Sequence, residues 1–383
     1  MEILFVTHKY PPVIGGMEKQ SFELINGMKK HAKVHTIVYE GKESRITFFR
    51  LLHRRIRQIC REHPGISLIH FNDGLIAAFS LMHYGYRHLK RSVTLHGLDV
   101  VYPNMIYQQL ILPKFNRFDQ IIAVSSATAT ACTLRGIMRD KISVINNGVD
   151  TQTRTQLLRT EVDLLLQKKY EADSKNRRIL VAMGRPVKRK GFSWFITNVV
   201  PLLHEDFLLL LIGPVTTSNT LKLLGVLPAF LTKPIALLFG LPEDEHAINQ
   251  LLDSPQTAGK VIRLGRLPGA DINHILGIAD AFVMPNIEVA GDMEGFGLVC
   301  LEAAMCGTRV IAAASGGIPD AIQQAKNGQL LPPGNSILWA NTINNLAEID
   351  LPAAAAIIDY TTRQYSWEKM TEKYYQEFMK ITG

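Results

Sequence analysis

Short apolar runs rich in β-branched residues recur along the whole chain with helical patterns between them, and this alternation permits few folds. In the first half the runs are Glu2–Thr7, Val34–Tyr39, Leu68–Phe71, Ser92–Leu95, Gln120–Val124 and Ile142–Ile145. In the second half they are Arg178–Met183, Phe207–Ile212, Val261–Leu264, Ala281–Val283 and Arg309–Ala312. Helical patterns such as Glu18–Lys29, Ile46–Glu62 and Phe192–Asn198 fill the gaps. Near-continuous apolar strands joined by helices are the pattern of a mostly parallel sheet covered on both faces. With 383 residues there is room for two domains, each with its own core. The expected fold class is therefore α/β, built as two Rossmann-like doubly wound sheets and not one large one. Asn146-Asn147-Gly148-Val149-Asp150 is a turn signal, and the polar stretch 151–177 reads as a linker with a helix. The expected domains are 1–165 and 166–358. A helical pattern over 359–383 carries Tyr365, Trp367, Tyr374, Tyr375 and Phe378.

Composition narrows the function classes. Hydrophobic residues make up 47% and charged residues 20%, which is globular and not disordered. A net charge of +8 is too modest to argue for nucleic acid, but it suits an anionic substrate or an anionic membrane surface. Cys60, Cys132, Cys300 and Cys306 form no C-x-x-C pair, so they read as small buried hydrophobes in a reducing compartment. The opening MEILFVTHKYPP reads as a buried strand and not a signal peptide, because its short apolar run meets His8, Lys9 and a proline pair. Leu221–Leu241 approaches membrane-spanning length, but Lys222, Pro228, Lys233 and Pro234 interrupt it, so it reads as non-spanning, either packed as a hairpin of helices on the second domain, the favoured reading, or an exposed patch for membrane or partner. The expected location is cytoplasmic. Ile46–Glu62 sets Arg50, Arg54, Arg55, Arg57 and Arg61 among Phe48, Phe49, Leu51, Leu52, Ile56 and Ile59. Two readings stay open for it: a helix on the sheet with a solvated basic face, or peripheral contact with an anionic membrane.

The segment Glu294-Gly-Phe-Gly-Leu-Val-Cys-Leu-Glu302 reads as a binding site. Gly295 and Gly297 let the backbone come close to a ligand, and the helix start behind them offers N–H groups and a positive dipole end to phosphate. Glu294 precedes the helix and Glu302 is expected about two turns into it. Carboxylates that accept from vicinal hydroxyls suit a sugar nucleotide. The plainer reading is a strand–turn–helix corner with two solvated acids. Gly184-Arg185-Pro-Val-Lys188-Arg189-Lys190-Gly191 follows a strand, and its cations could clamp a diphosphate, although a charge run alone is more often a basic surface turn. Pro11-Pro12-Val-Ile-Gly15-Gly16-Met17-Glu18 allows close approach of a phosphate or acceptor, but it lacks the G-x-G-x-x-G of a dinucleotide site. His96-Gly97-Leu98-Asp99 also follows a strand; a lone histidine there is more often structural, and Asp99 can cap the following turn. His8 is a weaker candidate, and Ser126 reads as a helix N-cap.

Five ordered motifs carry a resemblance: the Gly-Gly loop, His-Gly-x-Asp, Asn-Gly-Val-Asp, the G-R-x-x-x-x-K-G loop, and EGFGLVCLEAAMCGTRVIAAASGGIPD with its E-x7-E spacing. Together they resemble the retaining, nucleotide-sugar-dependent glycosyltransferases of family four, with the glycosyltransferase-B fold. The resemblance implies two Rossmann-like domains facing a cleft, with the C-terminal helix crossing back onto the first. It implies transfer from a nucleoside-diphosphate sugar to a glycan, lipid-linked or small-molecule acceptor, as in cell-surface polysaccharide or glycolipid synthesis. In it Glu294 holds donor-sugar hydroxyls, Glu302 holds ribose hydroxyls, and the turn Gly295, Phe296, Gly297 and Leu298 offers N–H groups to the phosphates. Arg185 and Lys190 stabilise the leaving diphosphate, while Lys188 and Arg189 stay solvated. His96 lies near the donor sugar, Gly15 and Gly16 lie between donor and acceptor, and Gly213 and Arg266 flank the nucleotide. No metal or other cofactor is expected, the nucleotide sugar being a substrate. Nucleic acid is not an expected partner. Competing readings are an epimerase of the same fold, which needs no acceptor, and a non-catalytic sugar-nucleotide-binding scaffold. A phosphorylase would need a lysine tethering pyridoxal phosphate, and the sequence has no motif for it.

Overall fold

Each of the two expected sheets forms, and each is wholly parallel. The computed structural model describes residues 1–152, 157–204, 206–215, 244–255 and 257–383; the 221–241 segment lies outside them. The first unit comprises Met1–Gly148, Met293–Leu298 and Tyr365–Gly383, and the second Val149–Asp292 and Val299–Gln364. In the first, β1 (Glu2–Thr7), β2 (Lys33–Val38), β3 (Ile66–Phe71), β4 (Lys90–Leu95), β5 (Gln120–Ala123) and β6 (Ile142–Val144) pair in the order β2-β1-β3-β4-β5-β6. In the second, β7 (Arg178–Met183), β8 (Phe207–Ile212), β9 (Val261–Gly265), β10 (Ala281–Met284), β11 (Val310–Ala313) and β12 (Gln329–Leu331) pair as β12-β11-β10-β7-β8-β9.

The strand sequences explain why both faces are covered. Side chains alternate across a strand, so Leu4 and Val6 enter one core of the first unit while Ile3 and Phe5 enter the other. Ile179 and Val181 likewise face one core of the second unit, and Leu180 and Ala182 face the opposite one. Strands apolar at every position are stable only between two helical layers. Cys132, Cys300 and Cys306 are buried free thiols.

Several boundaries differ from the sequence reading, each for a local reason. The first unit ends at Gly148 and not at 165, because Val162 and Leu166 of the helix Arg159–Tyr170 bury in the second unit's core. The C-terminal helical pattern is two helices. Leu351–Gln364 belongs to the second unit and Trp367–Thr382 to the first. The break falls at Ser366, whose hydroxyl accepts from Lys369 N–H at 3.2 Å and starts a new helix. That last helix packs Trp367, Met370, Tyr374 and Phe378 against Leu24, Ile25 and Met28 of the helix Gly16–Met28. Ser125, one residue earlier than expected, is the N-cap of Ser126–Thr133, accepting from Thr128 N–H at 3.1 Å.

The basic helix runs Arg45–Glu62 and buries Phe48, Leu52 and Ile56 on the first core. Three of its arginines are engaged within the unit, the Arg45 guanidinium lying 5.8 Å over the Tyr39 ring. Arg55 pairs with Glu43, and the Arg57 guanidinium lies 5.2 Å over the Tyr84 ring. Arg50, Arg54 and Arg61 are exposed. Among the described residues no helix is long and apolar enough to cross a membrane.

Candidate active site

In the second unit the strand order reverses between β7 and β10. Loops leaving the C-terminal ends of such strands diverge and leave a crevice, the usual ligand position in this kind of sheet. The loop after β7 is Gly184–Gly191. Gly184 N–H donates to the Ile212 carbonyl and Gly213 N–H to the Gly265 carbonyl, both at 2.9 Å, so hydrogen bonding continues past the ends of β7, β8 and β9. A Cβ on Gly213 would stand 2.0 Å from the Gly184 carbonyl oxygen, so only glycine lets the β7 and β8 ends close this far. Lys190 ends a 3-10 turn over Lys188–Lys190 and is only 7% exposed. Its stem folds back over Gly184, where an added Cβ would meet Lys190 Cε at 3.3 Å. Arg185, on the same loop, is exposed, as is Arg266 just after β9.

The other two cations of the loop differ from expectation. Lys188 and Arg189 are not merely solvated. Lys188 Nζ lies 3.5 Å from the buried Asp244 carboxylate, and Arg189 Nη1 lies 3.1 and 3.0 Å from the two Asp292 oxygens. A buried carboxylate needs a charged or hydrogen-bonded partner, and these cations supply it. Asp244 also accepts from the Ser193 amide at 3.0 Å, tying the loop to the helix Phe192–Asn198. Neither aspartate was singled out from sequence. Asp292 stands two residues before Glu294, which is the one cue that could have drawn attention to it.

Glu302 lies in the helix Leu298–Met305. It is the fifth residue of that helix, just over one turn in and not two. Cys300, Leu301, Ala303, Ala304 and Met305 around it are buried, and Glu302 remains partly exposed.

In the first unit the order reverses between β1 and β3. The Asp73 carboxylate after β3 meets His8 Nδ1 after β1 at 3.0 Å, and it caps the helix Gly74–Ser80 by accepting from Ile76 N–H at 2.9 Å. Burial pushes the Asp73 pKa up, but the neighbouring His8 and the Ile76 N–H outweigh it and hold the group below its ordinary value. Sequence reasoning passed over Asp73; Asn72-Asp73-Gly74 at a strand end is an N-cap signal. His96 Nε2 lies 2.9 Å from the Asn72 carbonyl. A carbonyl only accepts, so Nε2 is the donor. Asp99 accepts from His96 N–H at 2.9 and 3.1 Å and from Gly74 N–H at 3.1 Å, so it caps this turn. Burial raises its pKa, opposed by His96.

The chain returns to this unit as Met293–Leu298. A Cβ on Gly295 would stand 1.9 Å from the His96 carbonyl oxygen, and one on Gly97 would stand 2.9 Å from Gly295 Cα. The turn that carries Glu294 is thus laid directly on the His96-Gly97 backbone. Phe296 is buried, with its ring 6.3 Å from that of Tyr365. Leu298 reaches the Gly15-Gly16 turn, where a Cβ on Gly16 would meet its Cδ1 at 3.2 Å. The first unit therefore gathers Gly15, Gly16, His96, Glu294, Gly295, Phe296, Gly297 and Leu298. The second carries Arg185, Lys190, Gly213, Arg266 and Glu302.

Residues 166–364 match the family described as glycosyl transferases group 1, and residues 14–153 match Glycosyltransferase Family 4. The chain belongs to the group 1 glycosyltransferases. It is 25% identical over 300 residues to the candidate colanic acid biosynthesis glycosyltransferase WcaL of Escherichia coli (strain K12), covering 76% of this chain and 64% of that protein. To the D-inositol 3-phosphate glycosyltransferase of Mycobacterium ulcerans it is 30% identical over 138 residues, 35% of this chain and 29% of that one. The chain spans less than two thirds of the length of either curated relative. Among solved structures, Anabaena HepE in complex with UDP aligns with a TM-score of 0.73 over 99% of this chain and 100% of that one, at 20% identity. At that identity the likeness establishes the fold, which is the glycosyltransferase-B arrangement of two Rossmann-like domains.

Proposed function

We propose that the chain transfers a glycosyl group from a nucleoside-diphosphate sugar to an acceptor hydroxyl, with retention of anomeric configuration. The observation that carries this reading is the β7 loop. A buried lysine is folded over the strand end at the switch point of the second sheet, with Arg185 on the same loop. Those cations suit a diphosphate whose negative charge grows as the sugar departs, and electrostatic stabilisation of that charge is the largest contribution such a site can make. In this reading the bond from the anomeric carbon to the leaving phosphate oxygen breaks, and the acceptor oxygen bonds to the same face. The acceptor proton passes to the leaving phosphate, so no protein nucleophile is required. Glu294 holds sugar hydroxyls, Glu302 holds the ribose, and the N–H groups of Phe296, Gly297 and Leu298 face the phosphates. His96, anchored through Nε2, stands near the donor sugar.

Two relatives inform the substrates to try first. WcaL is named for colanic acid biosynthesis, which supports a glycan acceptor, and HepE is described with UDP-glucose, which supports a uridine donor. The two acids are separable by calorimetry with UDP, GDP and ADP. Glu302→Ala is expected to weaken nucleoside-diphosphate binding by about tenfold or more, the cost of one hydrogen bond to a charged group. Glu294→Ala is expected to leave that binding unchanged and to damage transfer. Equal losses of nucleotide affinity in both variants would sink the assignment.

A further inference from the structure

Two consecutive acids, Asp244 and Glu245, stand at the start of the helix Glu245–Leu252 in the second unit, and they are only 0% and 1% exposed. Carboxylates suit the positive end of a helix, but two adjacent buried charges are costly unless each is partnered. The partners come from different elements of the same unit. Asp244 meets the β7 loop. Its N–H donates to the Pro186 carbonyl at 3.0 Å, and its carboxylate accepts from the Ser193 amide at 3.0 Å and the Ser193 hydroxyl at 2.5 Å. Lys188 Nζ stands 3.5 Å from the same carboxylate. The loop is therefore held before, within and after its basic stretch. Glu245 meets β9. Arg263 donates to both Glu245 oxygens, at 2.7 and 2.9 Å, and the same guanidinium donates to the Pro214 carbonyl after β8 at 3.0 Å. Gly184, Pro186, Gly213, Ile248 and Arg263 line one small crevice at the ends of β7 and β8, so loop, helix and arginine meet at one place.

Resting on the diphosphate-site reading above, we propose that Asp244 is a positioning residue that holds the β7 loop in shape for a diphosphate, its own place fixed by the Glu245–Arg263 pair beside it. Arg185, Lys188, Arg189 and Lys190 crowd one short loop, and like charges so close repel. A buried anion among them lets the loop keep one arrangement before any phosphate arrives, and a site arranged in advance loses less freedom on binding. Buried ion pairs contribute little net stability, since desolvation offsets most of the Coulomb attraction, so geometry is the better account of these two. The Arg263 fork adds to it, because a two-pronged contact sets orientation as well as distance. Arg185 and Lys190, assigned to the diphosphate, both lie on the stretch that Asp244 holds. A nucleoside monophosphate lacks the second phosphate and gives those cations less to bind. Disturbing Asp244 should therefore weaken diphosphate binding more than monophosphate binding, whereas general damage to the unit would weaken both alike.

Calorimetry on the full chain with UDP, GDP and ADP, and with the matching monophosphates, reads the effect. Asp244→Asn keeps the side-chain size and removes the charge. For the base that the wild type binds, this variant is expected to lose at least about tenfold in diphosphate affinity, the worth of one charge-assisted hydrogen bond. Its monophosphate affinity should stay within about threefold of wild type. Lys188→Met, which leaves Asp244 both Ser193 hydrogen bonds, should show the same selective loss, and Lys188→Arg should stay closer to wild type. The lysine variants carry the test if the asparagine variant melts early. Unchanged diphosphate affinity, or mono- and diphosphate affinities falling by the same factor, would make these contacts a structural tie and overturn the proposal. A wild type that binds no nucleoside diphosphate would overturn the reading of the site and this proposal with it.

Discussion

Lys190→Ala is expected to lower turnover by about ten- to a hundredfold, and Arg185→Ala by at least about tenfold, with the fold intact in both. Each lost charge-assisted hydrogen bond to a diphosphate costs about 1.5–3 kcal/mol, and each 1.36 kcal/mol is a factor of about ten. Lys190 should be the costlier loss. Its buried ammonium acts through a medium of lower effective dielectric than the exposed guanidinium of Arg185, so the same charge is worth more there. Lys190→Met separates charge from packing, because it keeps an apolar stem over Gly184. Steady-state rates at saturating donor, with thermal melts alongside, decide the matter. Turnover unchanged in both alanine variants would show that the loop is only a basic turn.

Gly295→Ala should be more damaging still, by about a hundredfold or more in kcat. A methyl at 1.9 Å from the His96 carbonyl oxygen cannot be relieved by a side-chain rotation, because the obstacle is backbone. The His96-Gly97 turn is itself fixed by the two Asp99 hydrogen bonds to His96 N–H, so the turn carrying Glu294 must move instead. The clash lies within the first unit, and the β7 loop is untouched by it. The variant should lose transfer and, because the amides of Phe296, Gly297 and Leu298 move with the turn, weaken nucleoside-diphosphate binding less severely; calorimetry beside a rate assay reads both. A variant with wild-type kcat would mean that the position of Glu294 does not matter to the reaction.

The sheets were legible because their strands are apolar at nearly every position and long enough to stand out, as in the FLLLLI of β8. β12 was missed because its three residues, Gln329–Leu331, include a glutamine and no β-branched side chain, whereas the equally short β6 has Ile142 and Val144. Helix ends were less legible. Ser125 and Ser126 are chemically identical caps, and only the fold decides that Ser125 takes the extended conformation. A continuous aromatic pattern from Tyr360 to Phe378 hides the break at Ser366, because both helices keep an apolar stripe. Within the candidate site, the glycines and the exposed Arg185 were readable from motif and position. The fastening aspartates were not, since Asp73, Asp244 and Asp292 are each defined by a partner far away in sequence. The same blindness made Lys188 and Arg189 look solvated. A charge on a loop reads as exposed until the fold brings a buried carboxylate beside it.

The central claim is transfer with retention, and one measurement tests it most directly. The protein is incubated with α-linked UDP-, GDP- and ADP-sugars in turn, with an oligosaccharide acceptor present, and the new anomeric proton is followed by NMR. The account predicts that one donor is consumed, that its nucleoside diphosphate is released in step with product, and that the first-formed linkage is α. A β-linked product, or no consumption of any donor by folded protein, would contradict it.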